Sequence, residues 1–212
     1  MNIALIGASG FIGSGLLSEA LARGHHVTAL VGHPEKLTAH ANLRAQKADV
    51  MDTQALATQL RGHDVVISAF SGHASSEVYE TYVRGIRSII NAVKQAAVPR
   101  LLVVGGAGSL EVAPGVQVVD TPEFPEQWKA TALGAREALN MLRSETNLNW
   151  SMLSPSAMIA PGERTGKFRL GNDQLLTDVQ GNSHISLQDY ALAMIDEVEK
   201  PAHINRRFTV GY

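Results

Sequence analysis

The sequence predicts an α/β fold built on a parallel sheet, on three observations. Apolar runs at Ile3–Ile6, Val27–Val31, Val65–Ala69, Leu101–Val104 and Trp150–Leu153 alternate with segments of helical pattern. The runs are nearly continuous rather than alternating, as strands covered on both faces require. A glycine-rich turn, Gly-Ala-Ser-Gly-Phe-Ile-Gly at residues 7–13, then joins the first run to the first helical segment. Together these describe repeated β-α-β units.

The helical segments are Phe11–Arg23, Thr53–Leu60, Glu77–Ala97 and Gln127–Glu145. In the third, Tyr82, Ile86, Ile90, Val93 and Ala97 fall at helical spacing and Pro99 closes the segment. From Gly105 to Glu126 periodicity is lost among Gly106, Gly108, Pro114, Gly115, Pro122 and Pro125, which predicts a long structureless loop serving a site. Further on, Phe168–Asn172 reads as a hairpin turn and Gly181-Asn182 as another turn. Ser186 reads as the N-cap of a helix over Tyr190–Val198 that stops at Pro201, and Phe208–Val210 as a final strand. The part from about residue 155 to 212 is expected to form a small cap over the substrate side of one domain spanning 1–212.

Composition narrows the function. The chain has 212 residues, 45% hydrophobic and 18% charged, with net charge −2, which suits one globular core. A sequence pI near 6.4 gives no basic surface for nucleic acid. The absence of cysteine excludes disulfides, thiolate metal ligands and a cysteine nucleophile, and agrees with a cytoplasmic location. Met1–Gly7 lacks the basic start of a secretion signal, and no apolar run approaches the roughly 20 residues of a membrane span. The eight histidines are scattered without metal-ligand spacing, so no metal is expected. Nothing in the pattern fixes the oligomeric state.

Three glycines between a strand and a helix have a physical use. The helix N-terminus offers free N–H groups and partial positive charge to a phosphate or diphosphate. Gly7 allows a tight exit from the strand, Gly10 lets a diphosphate approach the backbone, and Gly13 lets the helix pack on the sheet through Leu17, Ala20 and Leu21. The alternative is a glycine-rich turn that binds nothing.

The spacing is Gly-x-x-Gly-x-x-Gly, and with it GASGFIG resembles the short-chain dehydrogenase/reductase superfamily. Taken with VISAF, LLVVGGAGSL, LNWSMLSPS and HISLQDYA, the chain resembles nearly end to end an atypical branch of that superfamily. This branch holds NADH-flavin reductase-like and biliverdin-IXβ reductase-like proteins, with the nitrogen-metabolite-repressor type nearby. The resemblance implies a single-domain Rossmann fold, a doubly wound parallel sheet in strand order 3-2-1-4-5-6, and a nicotinamide cofactor across the strand C-terminal ends. It also implies that Gly7, Ser9, Gly10, Phe11 and Ile12 line the diphosphate and that Asp49 and Val50, after the third strand, flank the adenine. Ala69, Phe70 and Ser71 would run past the ribose, and Gly105, Gly106 and Ser109 would lie near the nicotinamide. Ser154, Pro155 and Ser156 would close the far side. For Phe70 core packing, and for Ser71 a turn hydroxyl, are equal alternatives.

The end of the second strand bears on NAD against NADP. An acidic residue there would hold a ribose 2′-hydroxyl and an arginine a 2′-phosphate. Here Gly32 stands where relatives often carry arginine. His33 and Lys36 remain as basic groups, Glu35 is expected to point into the next helix, and NADPH is favoured.

The superfamily's usual tyrosine, with a lysine four residues on, does not occur. Tyr79 is followed at that distance by Val83 and Tyr82 by Ile86, and Lys129 and Leu133 fill the expected places. Reduction of a simple ketone needs a positioned acid for the alkoxide. A conjugated acceptor spreads the new charge instead, so a flavin, quinone or similar small molecule is the expected substrate. Ser109 is the candidate catalytic residue, as a hydrogen-bonding group for carboxamide or substrate. Trp128 is a candidate planar wall over the acceptor, or else packing. Lys129 is a candidate substrate contact or a surface charge, and His184 a helper or a brace for the C-terminal loop. A dinucleotide sensor without turnover, and an epimerase or dehydratase, are the alternatives.

Overall fold

The computed structural model describes residues 1–73 and 75–212. The elements β1 (Asn2–Ile6), α1 (Phe11–Ala22), β2 (His26–Val31), β3 (Leu43–Lys47), α2 (Thr53–Leu60), β4 (Val65–Ser68), α3 (Val78–Gln95) and β5 (Arg100–Val104) follow in order. After them come β6 (Glu111–Ala113), β7 (Val116–Gln117), α4 (Glu126–Arg143) and β8 (Asn149–Ser154). The chain ends with β9 (Met158–Ala160), β10 (Arg169–Gly171), β11 (His184–Ser186), α5 (Leu187–Glu199) and β12 (Arg206–Gly211).

Eight strands form the central sheet in the order β3-β2-β1-β4-β5-β8-β12-β10. All pairings are parallel except that of β10 with β12, which is antiparallel. The implied 3-2-1-4-5-6 order is the run from β3 to β8, and β12 and β10 extend it.

Every residue of β4, β5 and β8 except Asn149 is buried, as the continuous apolar runs require. Side chains of one strand alternate between the two faces. Ile3 and Leu5 enter a core with Leu16, Leu17, Tyr190, Met194 and Phe208, under α1 and α5. Ala4 and Ile6 enter the other, with Leu56, Ile86, Ile89 and Leu139, under α2, α3 and α4. Asp52 caps α2 by accepting from the Ala55 N–H at 3.0 Å. Ser186 caps α5 in the same way through the Asp189 N–H at 3.0 Å, at the place its sequence context predicts.

The C-terminal part departs from the expected cap. Helix α5 packs on the sheet beside α1, and β12 lies inside the sheet between β8 and β10. The apolar positions of both are core positions and β10 is the sheet's edge strand, so only the segments flanking β10, about residues 155–168 and 172–183, lie outside the central sheet. Residues 168–172 are not a local hairpin either, because β10 finds its partner in β12, far along the chain.

The stretch from Gly105 to Glu126 is ordered rather than structureless. It holds a 3₁₀ turn at Ala107–Ser109, the small β6–β7 hairpin and a 3₁₀ turn at Val118–Asp120. Arg136 of α4 donates to Gln117 and Asp120 and ties the segment down. Strands of two or three residues leave no periodicity to read. Among the described residues, no helix is long and apolar enough to cross a membrane.

Candidate dinucleotide cleft

The C-terminal ends of β2, β1, β4, β5 and β8 form one continuous rim. Each ladder runs one residue past its strand: Gly7 N–H donates to Leu30 C=O at 3.0 Å, Ala69 N–H to Ile6 C=O at 2.9 Å and Gly105 N–H to Leu153 C=O at 2.8 Å. Ala48 N–H reaches Val31 C=O at 2.9 Å and sets the chain leading to Asp49 and Val50 beside the end of β2. The sequence order reverses between β1 and β4, which places the crevice above their carboxyl ends.

The turn from β1 to α1 is built as a cradle. Gly7 has φ of +79°, and a Cβ on it would lie 2.8 Å from Ala69 O. A Cβ on Gly13 would lie 2.0 Å from Gly7 O and 2.8 Å from its carbonyl carbon, so the first helical turn rests directly on the turn backbone. Gly10 is the N-cap and has no side chain to close the helix end, and no acidic residue occupies the first turn. Gly10 N–H donates back to Gly7 C=O at 3.0 Å. Among the described residues, the N–H groups of Phe11, Ile12 and Gly13 have no protein acceptor. An open, uncapped helix end of this kind fits a diphosphate. Ser9, Gly10 and Phe11 are exposed there and Ile12 is half-buried.

At the end of β2, a Cβ on Gly32 would meet nothing within 4 Å. His33 and Lys36 are exposed beside it. Glu35 does not point into a helix, because its carboxylate turns back to His33 Nδ1 at 3.0 Å. The backbone N–H of Glu35 and the His33 ring hold that carboxyl below its ordinary value. Asp49 is exposed and accepts from the Met51 N–H at 2.9 Å, while Val50 packs against the core.

After β4, Ala69 lies in the rim and Ser71 is half-buried next to it. Phe70 turns toward α3, where a Cβ on Gly85 would fall 2.2 Å from its ring. Gly85 and Phe70 are therefore fitted to one another, and the ring is part of the packing.

After β5, the space above Gly105 and Gly106 is closed to side chains. A Cβ on Gly105 would meet Met152 Cγ at 2.8 Å and Ser154 Oγ at 2.9 Å, and one on Gly106 would meet Ala135 Cβ at 3.2 Å. Ser154 and Pro155 are buried beneath this rim, and the Ser154 hydroxyl has no partner among the described residues. Ser156 donates to Val210 C=O at 2.9 Å, which fixes β12 to the chain leaving β8.

Ser109 is placed differently from its expected part. It is 2% exposed, and its hydroxyl accepts from Arg207 Nη1 at 3.2 Å while its carbonyl accepts from Nη2. Arg207 in turn is held by Asp173, which also meets Arg143. Ser109 thus anchors the loop after β5 to β12, and its hydroxyl does not face the cleft. Arg207 and Asp173 were not singled out in the sequence. Arg207 stands beside the exposed Arg206 at the start of β12, so nothing local marks it as buried, and its partner is 98 residues away.

The tyrosines that reach the strand ends are occupied. Tyr82 is directed to Val104 C=O and Tyr190 to Leu153 C=O, and burial raises both phenols well above their ordinary value. Tyr212 donates to Asp189 Oδ2 at 2.7 Å, and its ring meets that of His184 at 5.1 Å. His184 therefore braces the C-terminus. Burial raises the Asp189 carboxyl, but hydrogen bonds from Thr165, Gly166 and Tyr212 outweigh it and keep the group ionised and low. Lys129 is exposed and paired with Glu126 at 3.5 Å. Trp128 is exposed at the start of α4.

Comparison with known proteins agrees with this geometry. A family model described as NAD(P)H-binding matches residues 7–201. The uncharacterized protein YwnB of Bacillus subtilis is 40% identical over 99% of this chain and 98% of its own. A Bacteroides thetaiotaomicron structure named a "putative epimerase" is 47% identical, covers 100% of this chain and 96% of its own, and superposes with a TM-score of 0.94. A Streptococcus pneumoniae structure named a "putative NADH-flavin reductase" is 35% identical over 100% and 99% of the two chains, with a TM-score of 0.89. With the glycine cradle, the open helix end and the Rossmann strand order in place, the chain belongs to the NAD(P)H-binding family.

Proposed function

We propose that the protein is an NAD(P)H-dependent reductase acting on a small conjugated acceptor such as a flavin or quinone, with NADPH as the favoured donor. The reading rests on the β1–α1 joint, where three backbone N–H groups and a helix dipole stand open over a turn closed to side chains. When bound, the dinucleotide supplies the hydride. The chain holds and orients it: Phe11, Ile12 and Gly13 present N–H groups to the diphosphate, and Ala69, Gly105 and Gly106 offer a rim of small residues to the nicotinamide side. Catalysis of this kind is largely positioning.

The choice of acceptor follows from the tyrosines. Tyr82 and Tyr190 are buried and Tyr212 is engaged with Asp189, so none of the three is free to protonate an alkoxide. A conjugated acceptor places the least demand on such a donor. The name of the pneumococcal structure favours the same substrate class. Neither nucleic acid nor a membrane is required as a partner, and the cytoplasm is the proposed compartment.

The test is steady-state oxidation of NADPH and NADH with riboflavin and a naphthoquinone. Saturable turnover supports the reading, and dinucleotide binding without turnover across the acceptors overturns it in favour of a sensor. An epimerase is the second reading, favoured by the name of the Bacteroides structure, and it predicts no net oxidation of the nucleotide.

The donor preference has its own test. Gly32 lies in open space without a left-handed φ, so Gly32→Arg introduces a guanidinium with no backbone strain. It is expected to tighten NADPH binding about tenfold, through a charge-assisted contact to the 2′-phosphate, and to leave NADH binding unchanged. Equal effects on both nucleotides in a fluorescence titration would place the 2′ position elsewhere.

A further inference from the structure

We infer that Trp128, braced by His73 and Thr131, is the platform on which a planar aromatic acceptor stacks. This rests on the reductase reading and specifies the acceptor side of the same cleft. Helix α4 leads back to the start of β8, and its N-terminal half lies against the loop that leaves the C-terminal end of β5, so its first turn stands on the C-terminal side of the parallel strands. Trp128, Ala132 and Ala135 share one stripe of that helix at i, i+4 and i+7. The lower two positions of the stripe lie on the loop after β5. A Cβ on Gly108 would be 2.7 Å from Ala132 Cβ, and one on Gly106 would be 3.2 Å from Ala135 Cβ. Trp128 therefore stands one turn, about 6 Å of helix rise, beyond the Gly106–Gly108 segment.

The indole is held without being covered. Gly72, with φ of +70°, is pinned against α3, where a Cβ would lie 3.0 Å from Val78 O and Tyr82 N. The next residue, His73, reaches across to α4: its Nε2 meets Thr131 Oγ1 at 3.0 Å. Its ring stands at 81° to the indole with centroids 6.3 Å apart. Trp128 remains 53% exposed, in contrast to Trp150, which is 2% exposed in the core. A large, ordered and open aromatic ring at the mouth of the cleft is a stacking surface, and planar conjugated rings are what it recognises. Single-ring or aliphatic carbonyl compounds gain little from it.

The test uses riboflavin as the probe, with the protein saturated by NADP⁺ so that no turnover intervenes. Indole in face contact with an isoalloxazine quenches its fluorescence by electron transfer. Saturable quenching is expected with the native chain. Trp128→Leu keeps apolar volume but no ring, and is expected to weaken riboflavin binding about tenfold with NADP⁺ affinity unchanged. Trp128→Phe is expected to retain most of the affinity and lose most of the quenching, which a merely structural role would not produce. His73→Ala is expected to weaken riboflavin binding about threefold by releasing the indole. Riboflavin affinity and quenching that persist unchanged in Trp128→Leu overturn the inference, as does absence of quenching by the native chain. Failure of NADPH oxidation alongside intact, Trp128-dependent quenching overturns the reductase reading instead.

Discussion

Gly13→Ala is expected to abolish dinucleotide binding and to lower stability by about 3 kcal/mol, at the upper end of what overpacking costs. The new Cβ would stand 2.0 Å from Gly7 O, 2.8 Å from Gly7 C and 3.0 Å from Ala8 Cα. All three atoms are backbone, and none can swing aside as a side-chain tip would. Gly7 is itself fixed, by its N–H bond to Leu30 and its close approach to Ala69 O. Relief must come from lifting the first turn of α1 off the strand, which displaces the N–H groups of Phe11, Ile12 and Gly13. A loss of this size lowers the melting midpoint of a chain this long by roughly 6–12 °C. Thermal unfolding and a nucleotide titration on the same preparation check both parts. A variant that unfolds with the native midpoint would mean that the helix does not rest on the turn in this way.

The second large effect lies at the other end of the sheet. Glu197 is 3% exposed and accepts from Arg100 Nη2 at 2.6 Å, from the N–H groups of Ala202 and His203, and from the His203 ring at 2.8 Å. Arg100, at the first position of β5, also donates to Ser151 Oγ and Glu197 C=O. Glu197→Gln keeps the shape but removes the charge, leaving a buried guanidinium without its counter-ion. The new amide also turns donors toward donors. Breaking a buried pair by removing one partner costs about 3–5 kcal/mol. Because Arg100 begins β5 and the cleft lies at the strand's other end, dinucleotide affinity of the folded variant is expected to be native.

The same group sets an acid limit. Burial raises the Glu197 carboxyl, but the His203 ring and N–H, the Ala202 N–H and the Arg100 charge outweigh it and hold the group below its ordinary value. A carboxyl depressed on folding stabilises fully above the ordinary glutamate value of about 4.3, and that contribution is lost as pH falls through the lower folded value. Native stability is expected to decline from about pH 4.3 downward, with a shallower decline in Glu197→Gln. Denaturant unfolding at a series of pH values measures it, and parallel profiles would contradict the assignment.

Much of the fold was legible because it depends on local pattern. The buried strands announce themselves as apolar runs, the helices by spacing, and α5 by Ser186 as its cap. What escaped is long-range. Helix α5 and β12 read as part of a cap, since nothing local says that Tyr190, Phe208 and Val210 share a core with Ile3 and Leu5. At the site, the glycine spacing carried the β1–α1 turn entire, because only backbone crowding demands residues without side chains at Gly7 and Gly13. Ser109 misled: a serine after a glycine-rich strand end looks accessible until Arg207 arrives from β12 to take its hydroxyl. Glu35 misled in a smaller way, since an exposed carboxylate two residues from a histidine can turn back to it. His73 and Thr131 gave no signal, because their contact joins the loop after β4 to helix α4 across 58 residues of sequence.

Titration of the native chain and of Gly13→Ala with NADPH and NADH, following nucleotide fluorescence, tests the open helix end directly. Saturable binding to the native chain is expected, tighter for NADPH, and none to the variant under conditions where it remains folded. Binding of neither nucleotide to the native chain would contradict this expectation, and would leave residues 7–13 a turn that serves packing alone.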